Sequence, residues 1–110
     1  MIEKIVLDFL EQKLTVPVSM EVPDKGKSYV VIEKTGGSKS NHVFSATMAV
    51  HSVAPSLIEA AELNEEVKLA MEKIEELEEV SSCSLNADYN FTDTTTKRYR
   101  YQAVFDLVHY

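Results

Sequence analysis

The sequence predicts an α+β fold: a mostly antiparallel sheet of four to five strands with two helices packed on one face, in the order α-β-β-β-α-β-β. Three observations carry this. An N-terminal stretch repeats apolar residues every three or four positions. A longer stretch does the same between Pro55 and about Glu79. The segments between and after them alternate apolar and polar residues with period two.

Ile2, Ile5, Val6, Phe9, Leu10 and Leu14 form one apolar stripe, with Glu3, Lys4, Asp8, Glu11 and Gln12 between them. That is a short amphipathic helix. Pro17 stops it, because the residue before a proline avoids helical geometry. Val18 to Val22 alternates before Pro23 and suits an edge strand. Asp24-Lys25-Gly26-Lys27 reads as a turn.

Tyr29-Val30-Val31-Ile32-Glu33-Lys34 is a β-branched run suited to a strand. The polar segment Thr35-Gly36-Gly37-Ser38-Lys39-Ser40-Asn41 is expected to be a flexible loop. Past it, His42 to Val53 places Phe44, Ala46, Met48 and Val50 on one face, completing a hairpin with a Gly-Gly loop. Pro55 and Ser56 then open a helix in which Ala60, Leu63, Val67, Ala70, Ile74 and Leu77 keep a 3-4-3-4-3 spacing. Roughly 25 residues of helix would span about 37 Å. Cys83, Leu85, Ala87, Tyr89 and Phe91 alternate with polar partners. So do Tyr99, Tyr101, Ala103, Phe105 and Leu107, after the link Thr92 to Lys97. These two strands are expected to pair antiparallel with their odd positions inward. The outer face of the sheet is left open, with Arg98, Arg100, Gln102, Val104, Val108 and Tyr110 pointing there.

At 110 residues the chain has the size of one domain, 1–110, with no internal linker or repeat. Its net charge of −7 disfavours electrostatic binding of nucleic acid and of anionic membrane surfaces. A single cysteine, Cys83, excludes an intrachain disulfide. Glu3, Lys4 and Asp8 interrupt what would be the core of an export signal, and no stretch is apolar enough to span a membrane. Synthesis in the cytosol is the expectation.

No residue pattern here marks catalysis, a cofactor or a metal. Gly26-Lys27-Ser28 resembles the end of a phosphate-binding loop, but Glu21 stands where its first glycine belongs and a strand follows it. Gly36-Gly37 has no following helix to aim amides at a phosphate. His42, His51, His109 and Cys83 have no zinc spacing. Cys83 faces inward with no activating base or cation beside it in the sequence. The glutamates of the long helix lack the Glu-x-x-His spacing of di-iron bundles. Arg98, Tyr99, Arg100 and Tyr101 interleave cations with rings, yet alternation sends the arginines and tyrosines to opposite faces.

The layout as a whole resembles a known family. A helix leads into a hairpin with a Gly-rich tip. The strand Ser45-Ala46-Thr47-Met48-Ala49-Val50-His51-Ser52 runs on to the Ala- and Glu-rich segment Ala60 to Val67, and the strand Arg98-Tyr99-Arg100-Tyr101-Gln102-Ala103-Val104-Phe105 closes the chain. Over nearly its whole length this is similar to the tail terminator proteins of long-tailed bacteriophages, also called tail completion proteins and related to minor tail protein U. The resemblance implies a homo-oligomer, commonly a hexameric ring, on the head-proximal end of the tail tube in the virion. Such a ring stops tube polymerisation and meets both the tail tube protein and the head-tail connector proteins. DNA passes through its bore without specific binding. The family carries no catalytic residue over to this chain. Thr35, Gly36, Gly37, Ser38, Lys39, Ser40 and Asn41, with Arg98 and Arg100, are the expected assembly surface. Three rival readings remain: a head-side connector or neck protein, a small oligomeric ligand-binding module or enzyme, and an adaptor that captures a peptide at the sheet edge.

Overall fold

A computed structural model of the chain describes residues 1–22, 28–92 and 98–110. The turn read at Asp24 to Lys27 and most of the link Thr92 to Lys97 lie outside the described residues, as do Gly26 and Lys27 of the phosphate-loop look-alike.

Helix α1, Ile2–Lys13, buries Ile2, Val6, Phe9 and Leu10, the stripe read from the sequence. Strand β1, Val18–Ser19, is two residues long and runs parallel to β2. Strands β2, Tyr29–Ser40, and β3, Val43–Ala54, form a hairpin. Helix α2, Leu57–Met71, follows; one 3-10 turn, Ile74–Glu76, leads to β4, Val80–Asn90, and β5, Tyr99–His109. The five strands lie in the order β1-β2-β3-β5-β4, antiparallel except at β1. Both helices cover one face of the sheet, as the sequence predicts. Between helices and sheet lies one core, in which Val6, Leu10, Val30, Met48, Val50, Val67, Met71, Ile74 and Leu107 are almost fully buried.

Helix α2 begins on the N-cap Ser56. The Ser56 hydroxyl accepts a hydrogen bond from the Glu59 amide (3.3 Å) and donates to the Glu59 carboxylate (3.0 Å). It ends at Met71, not near Glu79. Glu72, Glu75, Glu76, Glu78 and Glu79 crowd the C-terminal end, where the helix dipole disfavours negative charge. The tighter 3-10 turn still delivers Ile74 to the core, and the Glu75 carboxylate accepts the Cys83 amide at 2.7 Å.

Three further expectations are corrected. First, Thr35–Ser40 is not a loop but the outer half of β2, paired with Val43–Thr47. The turn is only Asn41 and His42, both with left-handed φ (51° and 67°), the backbone a two-residue hairpin turn of type I′ requires. Second, the two glycines sit inside the strand, beside a bulge between Lys34 and Gly36. A Cβ on Gly37 would lie 2.9 Å from Lys34 Cε and 3.2 Å from the Ser45 carbonyl, so the close strand approach there depends on glycine. Third, the odd positions of β4 do not all face inward. Leu85 pairs with Phe105 but Ala87 with Val104, so Asn86 is an extra residue in a bulge. Beyond it the alternation is reversed: Asp88 turns to the helices, while Tyr89 and Phe91 turn to the open face.

Candidate functional site

The face of the sheet opposite the helices is uncovered and carries a groove at the end where β3 and β5 meet as Ala54 and Tyr99. Its floor follows from register. Val31, His51, Gln102 and Tyr89 form one row across four strands, and Tyr29, Val53 and Arg100 form the next. Three strand spacings separate β2 from β4, about 14 Å. Met20 and Val22 rise on the β1 side; Tyr89 and Phe91 rise on the β4 side. The space between is about 550 Å³. Met20, Val22, Tyr89 and Phe91 are all exposed, an apolar rim above a mixed floor.

Arg100 dominates the β4–β5 wall. Its guanidinium stacks 4.6 Å from the Phe91 ring centre, and its Nε donates to the Phe91 carbonyl at 3.3 Å. Phe91 meets Tyr89 edge to face at 5.8 Å. Arg98 lies over the Tyr29 ring at 5.4 Å. On the floor, His51 Nε2 lies 3.6 Å from a Glu33 carboxylate oxygen. Its Nδ1 is buried with no hydrogen-bond partner among the described residues. Burial, then the Arg100 charge, push the His51 pKa below its ordinary value, and Glu33 pulls against them without prevailing. The ring is therefore neutral at physiological pH. Further along the same face Asp106 accepts from Thr47 (3.2 Å) and from Asn86 (2.7 Å), a polar tie across β3, β5 and β4 that holds the bulge residue in place.

On the helix side, Asp88 accepts from the buried Asn64 (2.6 Å) and from Lys68 (2.5 Å), and Lys68 also bonds Glu65 (2.7 Å). This pins α2 to the outermost strand. Cys83 is half-buried, and burial, reinforced by Glu75 and Asp106, pushes its thiol up to about 11, so it stays protonated and poorly nucleophilic. Among the described residues no three His, Cys, Asp or Glu side chains gather as metal ligands would. Among the described residues no helix is long and apolar enough to cross a membrane.

The structure does not bring the sequence-predicted surface residues together. Thr35 to Ser40 are exposed along the outer half of β2, with the Thr35 hydroxyl donating to the Thr47 carbonyl (3.3 Å) and the Lys39 ammonium 5.3 Å from the Phe44 ring centre. Asn41 is at the tip. Arg98 and Arg100 lie at the opposite end of the sheet, about nine strand residues or roughly 30 Å away. Sequence alternation missed Tyr89 and Phe91 as surface residues because the bulge reverses them. The signal was Asn86, Asp88 and Asn90, residue types depleted in regular strands.

Both outer edges of the sheet are blunted. On β2 a bulge and Lys34 and Lys39 occupy the stretch that β1 leaves unpaired; on β4 two bulges and the Glu75–Cys83 bond interrupt the ladder. Such devices oppose strand addition, so the open face, not an edge, is the available docking surface. Compared with protein-family models and with curated proteins, the chain matches none.

Proposed function

We propose that the protein is a structural assembly subunit of a long-tailed phage or prophage, resembling the tail terminators. In this reading it forms a ring at the head-proximal end of the tail tube in the virion, stops tube polymerisation and offers the surface to which the head joins. It performs no chemistry. The observation that carries the reading is the uncovered sheet face with Met20, Val22, Tyr89 and Phe91 exposed around Arg100. Contiguous apolar surface on a small chain marks a contact with other macromolecules. The net charge of −7 agrees with a conduit that repels DNA phosphates instead of holding them.

The test uses the purified protein and tail tubes of the phage or prophage that encodes it. Electron microscopy is expected to find rings at one end of each tube and an end to further growth. Binding to portal-bearing heads but not to tubes would favour the connector reading. Absence of binding to either would overturn the assembly reading. A second reading has one observation of its own: a groove of about 550 Å³ with Arg100, His51 and Gln102 on its walls and floor falls in the size range of small-ligand sites. Thermal-shift screening against aromatic carboxylates would reveal such a module by a saturable rise in Tm.

A further inference from the structure

We propose that copies of this chain pack head to tail, with the outward stripe of α2 from one copy seated in the open-face groove of the next. The inference rests on the assembly reading above and names its interface.

Helix α2 turns Ala60, Leu63, Val67 and Ala70 to the core. The residues farthest from them, at helical steps of three and four, are Ile58, Glu62, Glu65 and Leu69. Ile58 is 69% exposed and Leu69 62%, large aliphatic side chains left mostly to solvent in the isolated chain. A solvent stripe with aliphatic residues at its two ends and acidic residues between them has the form of a helix that lies in an apolar groove with a cationic wall.

The groove has that form. Its rim is Met20 and Val22 on one side, Tyr89 and Phe91 on the other, and Arg100 is held on the Phe91 ring, with no hydrogen bond from its terminal nitrogens among the described residues. Of the acids on this face, Glu33 belongs to the β2 side and is already beside His51, while Asp106 lies further along, tied to Thr47 and Asn86. Polarity across the groove is therefore laid out with acid on one wall and guanidinium on the other. An incoming helix with Ile58 between the walls places Glu62, one turn on, against the Arg100 side. On a chain of net charge −7 the acidic stripe would repel its own kind at most other places.

Placement favours a second copy as the occupant. The stripe and the groove are on opposite faces of the sheet, and both lie near the same end of the long axis, because α2 starts at Leu57, three residues after β3 ends at Ala54 beside Tyr99. Two copies meet face to back with little slide. Such a contact joins two different patches, so it repeats from copy to copy and closes into a ring when the rotation per subunit allows.

Three variants test this by sedimentation velocity over a range of concentrations at low salt: Ile58→Glu, Glu62→Arg and Arg100→Glu, each checked by circular dichroism for an unchanged fold. Glu62→Arg lies on an exposed helix surface and keeps the test open should Arg100→Glu disturb Phe91. Each single variant is expected to weaken self-association by about tenfold or more. Glu62→Arg and Arg100→Glu in one chain are expected to restore it. An equimolar mixture of Ile58→Glu and Arg100→Glu, each with one intact patch, is expected to stop at a heterodimer. A wild-type protein that stays monomeric at about 1 mM, variants that associate as the wild type does, or a mixture that forms no dimer would each overturn the interface. Variants that self-associate normally but lose tube binding would assign the groove to the tube protein and also overturn it. Normal rings on tubes with the Ile58→Glu variant would sink this interface and leave the assembly reading standing. Head-to-tail association with no binding to tubes or heads would do the reverse.

Discussion

The side-chain amide of Asn64, on the buried side of α2, donates to Asp88 on β4 at 2.6 Å, so the outermost strand is fastened to the helix layer by a polar bond at the edge of the core. Lys68 doubles the link at 2.5 Å. Asp88→Ala would strand the Asn64 amide in an apolar setting, at about 1–3 kcal/mol. A double-mutant cycle of Lys68→Met with Asp88→Asn is expected to give a coupling of about 1 kcal/mol. Burial works against the Asp88 charge, but the Lys68 and Asn64 bonds outweigh it and hold the carboxyl below its ordinary value of 3.8. Its contribution is then fully present above that value and lost as pH falls through the lower folded value. Urea titrations at pH 6 and pH 3 would measure the loss, which Asp88→Asn removes.

Deleting Asn86 tests the bulge. With one residue fewer, regular alternation would carry Tyr89 and Phe91 to the helix side and take Asp88 away from Asn64 and Lys68. The deletion is expected to lower Tm and abolish the groove, whereas Asn86→Ala, which loses only the bond to Asp106, is expected to cost about 1 kcal/mol. Tyrosine fluorescence, undisturbed by any tryptophan, reports both.

His51 gives the open face a pH response. Its folded pKa lies below the ordinary 6.5, so folding favours the neutral ring. That stability is present above pH 6.5 and lost as pH falls through the folded value. The facing groups are Glu33 and Arg100, with Gln102 and Val31 beside it in the row. His51→Gln is expected to flatten the change in urea midpoint between pH 7.5 and 5; an unchanged slope would show that His51 is not its source.

The hairpin turn offers a gain. His42 has φ 67°, a left-handed backbone that costs a side-chain-bearing residue about 1–2 kcal/mol and glycine very little. His42→Gly creates the Asn-Gly pair that such turns prefer and is expected to stabilise the fold by about 1 kcal/mol, or about 4 °C in Tm. A loss of stability would mean that the imidazole makes a contact worth more than the strain.

Much of this architecture was legible in the residues. Period-two patterns in Ala46 to Val50 and in Ala103 to Leu107, and the stripes Ile2 to Leu14 and Ala60 to Ile74, became buried faces, because burial of one side fixes register and helix phase; Phe44, expected on the same face, is exposed and stacks on His109. The misreadings share a cause. Gly36 and Gly37 look like a loop tip, and only their pairing with Thr47 and Ala46 makes them strand. Tyr89 and Phe91 look inward until Asn86 finds Asp106, twenty positions away on another strand. Helix α2 keeps its apolar spacing past Met71, and there the warning was present in the acidic run Glu72 to Glu79. The candidate face was the least legible part. It gathers Met20, His51, Tyr89 and Arg100 from four separate segments, and no local pattern announces such a meeting.

The position of β5 between β3 and β4 has a kinetic consequence. The last strand of the described chain fills an interior place in the sheet, pairing residues as distant in sequence as Phe44 and His109. Neither the hairpin before it nor β4 can complete the layer without it. Closing loops of that length before their contacts form places the chain among the slower folders, with relaxation on the order of milliseconds to seconds. During synthesis the interior strand β3 must wait, one side unzipped, until the final eleven-residue strand arrives.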